Sequence, residues 1–172
     1  MGSIRKLRKL QVGQETEKGT GVPATARLLG DASWQVADGT VIPDREYGLL
    51  APTAELPVIT SKLTEIELST ELSFEQILCP LISGLRSDVT PVEQNPSEGD
   101  YLWTFAPSMT AAPTVKSLTL EYIENDGAAD ILTYEANYAL CRRLQIAATQ
   151  GDNIAEMVAE WFAQGTQVTT PT

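Results

Sequence analysis

The sequence predicts a single, mainly β domain with one short helix, and three observations carry that prediction. From Lys62 onward, short runs alternate apolar and polar residues between clusters of turn residues, which is the pattern of half-buried strands. Only one segment, about 73–85, sets its apolar residues at helical spacing behind a capping residue. A chain of 172 residues, 42% hydrophobic and 20% charged, is long enough for one core and short for two.

The elements follow in order. Residues 1–60 read as an N-terminal arm and an extended loop, because Gly and Pro recur (Gly13, Gly19, Gly21, Pro23, Gly30, Gly39, Pro43, Gly48, Pro52, Pro57) and no period holds for long. Leu28, Leu29, Trp34, Tyr47, Leu49 and Leu50 make this stretch too apolar for a solvated linker, so partners or the domain's own flank are expected to cover it. Residues 61–172 read as the β-rich domain. Thr64, Ile66 and Leu68 alternate with Glu65, Glu67 and Ser69, giving a strand. Ser73 and Gln76 form a capping box for a helix whose expected core face is Phe74, Ile77, Leu78, Leu81, Ile82 and Leu85. Pro80 interrupts it and Gly84 stands near its stop.

Residues 86–100 are turn-rich, and Tyr101–Phe105 reads as a strand with an aromatic face. Thr114–Ile123 alternates with Leu118, Leu120 and Tyr122 on one side. Asn125-Asp126-Gly127 signals a turn into a hairpin partner, 131–140, with Leu132, Tyr134, Tyr138 and Leu140 sharing a face. Residues 142–147 continue that strand or begin another. The segment 154–162 fits either a helix (Ile154, Met157, Val158, Trp161, Phe162) or a strand face (Ile154, Val158, Phe162).

The formal charge of −11 is uneven. Residues 1–30 hold six of the twelve basic groups (Arg5, Lys6, Arg8, Lys9, Lys18, Arg27) against Glu15 and Glu17, a local net of +4, which leaves −15 over residues 31–172. So acidic a body repels phosphate backbones and is not expected to grip DNA. Acidic surfaces also serve plain solubility, so charge alone does not choose between a channel wall and an ordinary solvated face.

Absences narrow the chemistry. With no histidine, Ser-His-Asp and Cys-His catalysis and histidine metal sites are excluded. Glu65 and Glu67 share a strand face, but such neighbours usually form its solvated side and no cleft is readable around them. No enzyme activity, cofactor or metal is expected. Gly19-Thr20-Gly21-Val22-Pro23-Ala24 has the spacing of a dinucleotide loop but lacks a buried strand before it. Cys79 and Cys141 sit in apolar runs and read as small buried hydrophobes. No apolar run reaches the roughly 20 residues of a membrane helix. Met-Gly-Ser-Ile-Arg-Lys lacks the following apolar core of a secretory signal, so assembly in the cytoplasm and no membrane partner are expected.

The order of landmarks resembles a group of tail tube proteins of long-tailed bacteriophages. Residues 10–30 (LQVGQETEKGTGVPATARLLG) resemble that group's opening, and residues 72–85 (LSFEQILCPLISGL) its helix, interior proline included. Tyr101–Pro107, Ala111–Thr114 with the following Leu-Thr-Leu-Glu-Tyr, Arg143-Leu144 and Glu160-Trp161-Phe162 resemble later landmarks. Members often extend further, so a chain ending at Pro171-Thr172 reads as a shorter version. The resemblance implies a β-sandwich or half-barrel with a flanking helix. It also implies six copies per ring, and rings stacked into a tube that passes double-stranded DNA without binding it specifically. Implied partners are copies of the chain itself and other tail proteins (terminator, baseplate, tape measure), with localisation in the virion tail.

On that footing Arg5, Lys6, Arg8, Lys9, Leu28, Leu29, Trp34, Tyr47, Leu49 and Leu50 are candidates for ring stacking. Glu65, Glu67, Glu121, Glu135, Glu156 and Glu160 are candidates to face the lumen. The alternatives are a related ring-forming terminator or baseplate protein, or a monomeric β-sandwich module that binds a small ligand.

Overall fold

The computed structural model describes residues 7–41, 58–86, 89–106, 108–112, 114–125, 130–149 and 154–169. Among these the chain forms β1 (Leu7–Gln14), β2 (Ala26–Leu28), β3 (Asp31–Val36), β4 (Gly39–Val41), β5 (Val58–Ser61), β6 (Thr64–Glu71), α1 (Phe74–Gly84), β7 (Val92–Asn95), β8 (Asp100–Leu102), β9 (Leu118–Asn125), β10 (Asp130–Ala147), β11 (Glu156–Ala163) and β12 (Gln167–Val168). Every pairing is antiparallel.

The 18-residue β10 organises the whole. Its first half pairs with β9 and with β12, and its second half pairs with β11. One layer therefore runs β2-β1-β9-β10-β12 and the other β10-β11-β6-β3, with β10 common to both. The opposite corner is turned by two residues, Leu29 and Gly30, which carry the chain from the edge strand of one layer to that of the other. Gly30 sits at φ 135°, and a Cβ there would stand 2.5 Å from the Ser69 carbonyl oxygen, so only glycine fits.

The core lies between the layers. Leu10, Val12, Leu118, Leu120, Tyr122 and Ala136 face Ile66, Leu68, Ala159, Trp161 and Ala163. Trp34 of β3 crosses the gap, its ring centroid 6.0 Å from that of Tyr122 and 6.3 Å from that of Tyr134. Burial of side chains this large stabilises by about 1.5–3 kcal/mol each, which is why burial alternates along β6, whereas Leu118–Ile123 of β9 is buried on both sides.

Several expectations need correction. Within residues 1–60, β1 and β3 are strands of the two layers, and Leu10, Val12 and Leu28 lie in the core. Cross-strand pairing supplies what local period did not. Residues 156–162 of the segment 154–162 lie in strand β11, whose buried side is Met157, Ala159, Trp161 and Ala163 rather than the Val158–Phe162 side. In β10 the register shifts between Ala136 and Ala139 and again between Cys141 and Arg143. The core side consequently reads Tyr134, Ala136, Ala139, Cys141 and Leu144, and Tyr138 is displaced to φ 58°. The expected strand 101–105 is shorter, ending at Leu102.

The helix forms where expected, with the Gln76 amide donating to Ser73 Oγ at 3.3 Å, but it is turned. Pro80 and Ser83 are its buried residues, while Phe74 is 95% exposed, Leu85 is also exposed, and Ile77, Leu78, Leu81 and Ile82 are half-buried. Two contacts fix this rotation. The Trp161 indole N–H donates to Ser83 Oγ at 3.1 Å, and a Cβ at Gly84 would lie 3.1 Å from the Cys141 Cβ.

Candidate functional site

The solvent face of the β10-β11-β6-β3 layer gathers six acids. Alternation along each strand puts Asp31, Glu65, Glu67, Glu71, Glu156 and Glu160 on this face. Glu67 stands directly opposite Glu160, and Glu71 opposite Glu156. Like charges in such pairs weaken a sheet, so this ladder is held against its local electrostatic cost. Four of the six expected lumen acids, Glu65, Glu67, Glu156 and Glu160, are thereby brought together. The other two lie elsewhere. Glu121 is fully buried, on the outer side of the first layer opposite Gln11 and Glu135, so it does not front a channel wall. Glu135 is half-buried there.

The same face carries one basic cluster. Arg142 Nη1 lies 2.8 Å from Glu65 Oε1 and its Nη2 3.2 Å from Glu160 Oε2. Arg143 Nη1 lies 2.8 Å from Glu160 Oε1, and its Nη2 donates to Gln145 Oε1 at 2.7 Å. Burial pushes the Glu160 carboxyl up, but the two guanidinium groups outweigh it and hold its pKa below the usual value. The hydrogen bonds from Arg142 to Glu65 and Glu160 raise the arginine's own pKa further. A shallow depression of about 120 Å³, lined by Ser33, Gln35, Glu65, Glu67, Arg142 and Glu160, opens beside the cluster.

Two edges of this layer are unpaired among the described residues. β3 ends the strand order, and residues 140–147 of β10 pair with β11 but with no described strand on their other side. Unpaired edges are templates for pairing with another chain. Beyond β3, the chain continues into the β4–β5 ribbon, where Val41, Val58 and Ile59 are about half-exposed. Two strands alone are marginal in water, and exposed apolar side chains on such a ribbon suit contact with another surface.

The stacking candidates are dispersed. Arg5, Lys6, Tyr47, Leu49 and Leu50 lie outside the described residues. Arg8 is exposed and 3.4 Å from Glu124 Oε1, and Lys9 is half-buried on β1. Leu28 is only 4% exposed, inside the protein's own core, and so is not free for stacking, while its neighbour Leu29 is exposed. Trp34 is half-buried and donates from Nε1 to Thr166 Oγ1 at 2.9 Å.

Sequence reasoning missed Glu15. Its carboxylate is 1% exposed and accepts from the Gly19 amide at 2.7 Å, the Tyr138 amide at 2.8 Å, Thr119 Oγ1 at 3.2 Å and Ser117 Oγ. It thus fastens the β1–β2 connection to β9 and to the displaced turn of β10. An acid directly after a strand, before a glycine-rich loop, was the available signal, and it does not reveal partners a hundred residues away.

Among the described residues no group of three or more Cys, Asp or Glu is placed to hold a metal, and no helix is long and apolar enough to cross a membrane. No protein-family model matches the chain, nor does any curated protein. Solved structures do match in fold. The sheath/tube terminator of an extracellular contractile injection system (PVC), in its extended state, is 10% identical over 95% of this chain and 93% of that one, with a TM-score of 0.52. A chain of the anti-feeding prophage (AFP) baseplate is 10% identical over 98% and 96%, with a TM-score of 0.50. At such identities the likeness is one of fold: an antiparallel, mainly β architecture with one short helix, shared with that terminator chain and that baseplate chain.

Proposed function

We propose that this chain is a non-enzymatic structural subunit of a phage-tail-like tube, closing in rings of six that stack into a conduit for double-stranded DNA. The observation that carries this reading is the acid-laden face on a four-stranded layer with unpaired edges. Joined edge to edge, six such layers supply 24 strands. At about 4.8 Å between strands and a tilt of about 40°, these close into a barrel roughly 48 Å across, leaving room for a duplex between the side chains. Closure removes the edge liability, and an acidic lining repels phosphates, so DNA slides rather than sticks.

Head-to-tail stacking is a heterologous contact and grows a filament. The β4–β5 ribbon, the exposed apolar face of α1 and the basic N-terminal residues are the surfaces that suit it. Partners on this reading are copies of the chain together with terminator, baseplate and tape-measure proteins, in a virion tail assembled in the host cytoplasm. A terminator or baseplate ring is the second reading, supported by the two matched structures being a sheath/tube terminator and a baseplate chain.

Negative-stain microscopy of purified protein at rising concentration separates these. Long hollow filaments are expected. Rings that stop at one layer favour the second reading, and a protein that stays monomeric throughout overturns both.

A further inference from the structure

Arg142 and Arg143 are out of place on a surface meant to repel phosphate. They are the only basic residues of the four strand segments β3, β6, β11 and 140–147 of β10. Adjacent side chains of a regular strand point to opposite faces, but the register shift between Cys141 and Arg143 brings both guanidinium groups to the one acidic face. Two neighbouring guanidinium forks are the ordinary means of gripping phosphate oxygens. Here each fork is already engaged: Arg142 spans Glu65 and Glu160, and Arg143 holds Glu160 and Gln145.

Resting on the conduit reading, we propose that this pair is a latent phosphate-contact site, which Glu65 and Glu160 keep closed so that a phosphodiester backbone passes without being held. An exposed ion pair is worth only about 0–1 kcal/mol, so the carboxylates do not lock the arginines by strength. They work by balance. A phosphate that captures Arg142 leaves Glu65 and Glu160 uncompensated and facing it, beside Glu67, so the exchange gains nothing. With the carboxylates neutralised, the same arginines would be free to release counterions from a nucleic-acid strand.

The test is fluorescence anisotropy of a short labelled DNA duplex with the full chain, kept unassembled at low protein concentration and low salt. The unsubstituted protein is expected to show no saturable binding. E65Q/E160Q should bind, with a log–log salt slope of about −2, as two neutralised phosphates require. Adding R142A/R143A should abolish that binding. E67Q/E156Q, which makes the same change in net charge on the same face, should not bind. The proposal is overturned if E65Q/E160Q binds no better than the unsubstituted protein, if E67Q/E156Q gains as much, or if the gain survives loss of the arginines. Should thermal melting show E65Q/E160Q unfolded, E65Q alone, which frees only Arg142 Nη1, must give a smaller gain of the same salt sense, and no gain overturns it. Because the readout uses unassembled chains, a failure here leaves filament formation untouched, and absent filaments would sink the tube reading without altering this result.

Discussion

Glu15 illustrates how much one buried side chain can organise. Each of its carboxylate oxygens faces a backbone N–H, from Gly19 on one side and Tyr138 on the other. In Glu15→Gln the amide NH2 must point at one of those donors whichever way it is flipped, leaving a buried N–H unpaired. A loss of about 2–3 kcal/mol is expected, read as a lower urea midpoint with an unchanged slope. Cys141 tests the core from another side. Burial, helped by the Glu160 charge and opposed by a hydrogen bond involving the Arg143 backbone, pushes its thiol up from 9.0 to about 11. At pH 8 its thiolate fraction is then about 100-fold below that of an unshifted thiol, and iodoacetamide alkylation followed by peptide mass spectrometry should slow by a similar factor. The sign for stability follows: an acid whose folded pKa is raised contributes fully below pH 9 and loses its contribution as pH climbs toward 11.

At the level of elements, the helix and β10 show what local pattern conveys. The existence of α1 and its Ser73 cap were legible because capping and apolar spacing are local. Its orientation was not, because the deciding partners, Trp161 and Cys141, lie far along the chain. β6 was legible because apolar and polar residues alternate along it with one side in the core, and β9 because the same alternation holds over Leu118–Tyr122, although both of its sides are buried. β10 defeated the pattern because its register shifts at Ala136/Ala139 and Cys141/Arg143 exchange the faces, and β1 because its core contacts depend on β9. The acids of the candidate face were legible as alternating strand residues, but their union on one surface needed the pairing of β6 with β11. The helix rotation is checkable by a pair of substitutions. Ser83→Ala strips the Trp161 indole of its acceptor and should cost about 1–3 kcal/mol, whereas Phe74→Ser should shift stability by no more than about 0.5 kcal/mol and reduce self-association instead. Thermal melts and analytical ultracentrifugation separate the two effects.

For the molecule as a whole, the open edges of the acidic layer are the feature on which the proposed ring closure turns. Leu29, just before β3, and Val36, its last residue, are exposed. L29K/V36K places charge at both ends of that edge, so folded monomers that form neither rings nor filaments are the expected outcome by negative stain, and filaments of normal length would count against edge-to-edge closure. The way β10 serves both layers has a mechanical corollary. Two leaves that share a continuous ribbon have no seam along which to slip, so a pull on either one loads the same peptide lengthwise and is felt at once by the other. A wall built of such bricks would bend and twist as a solid rather than delaminate.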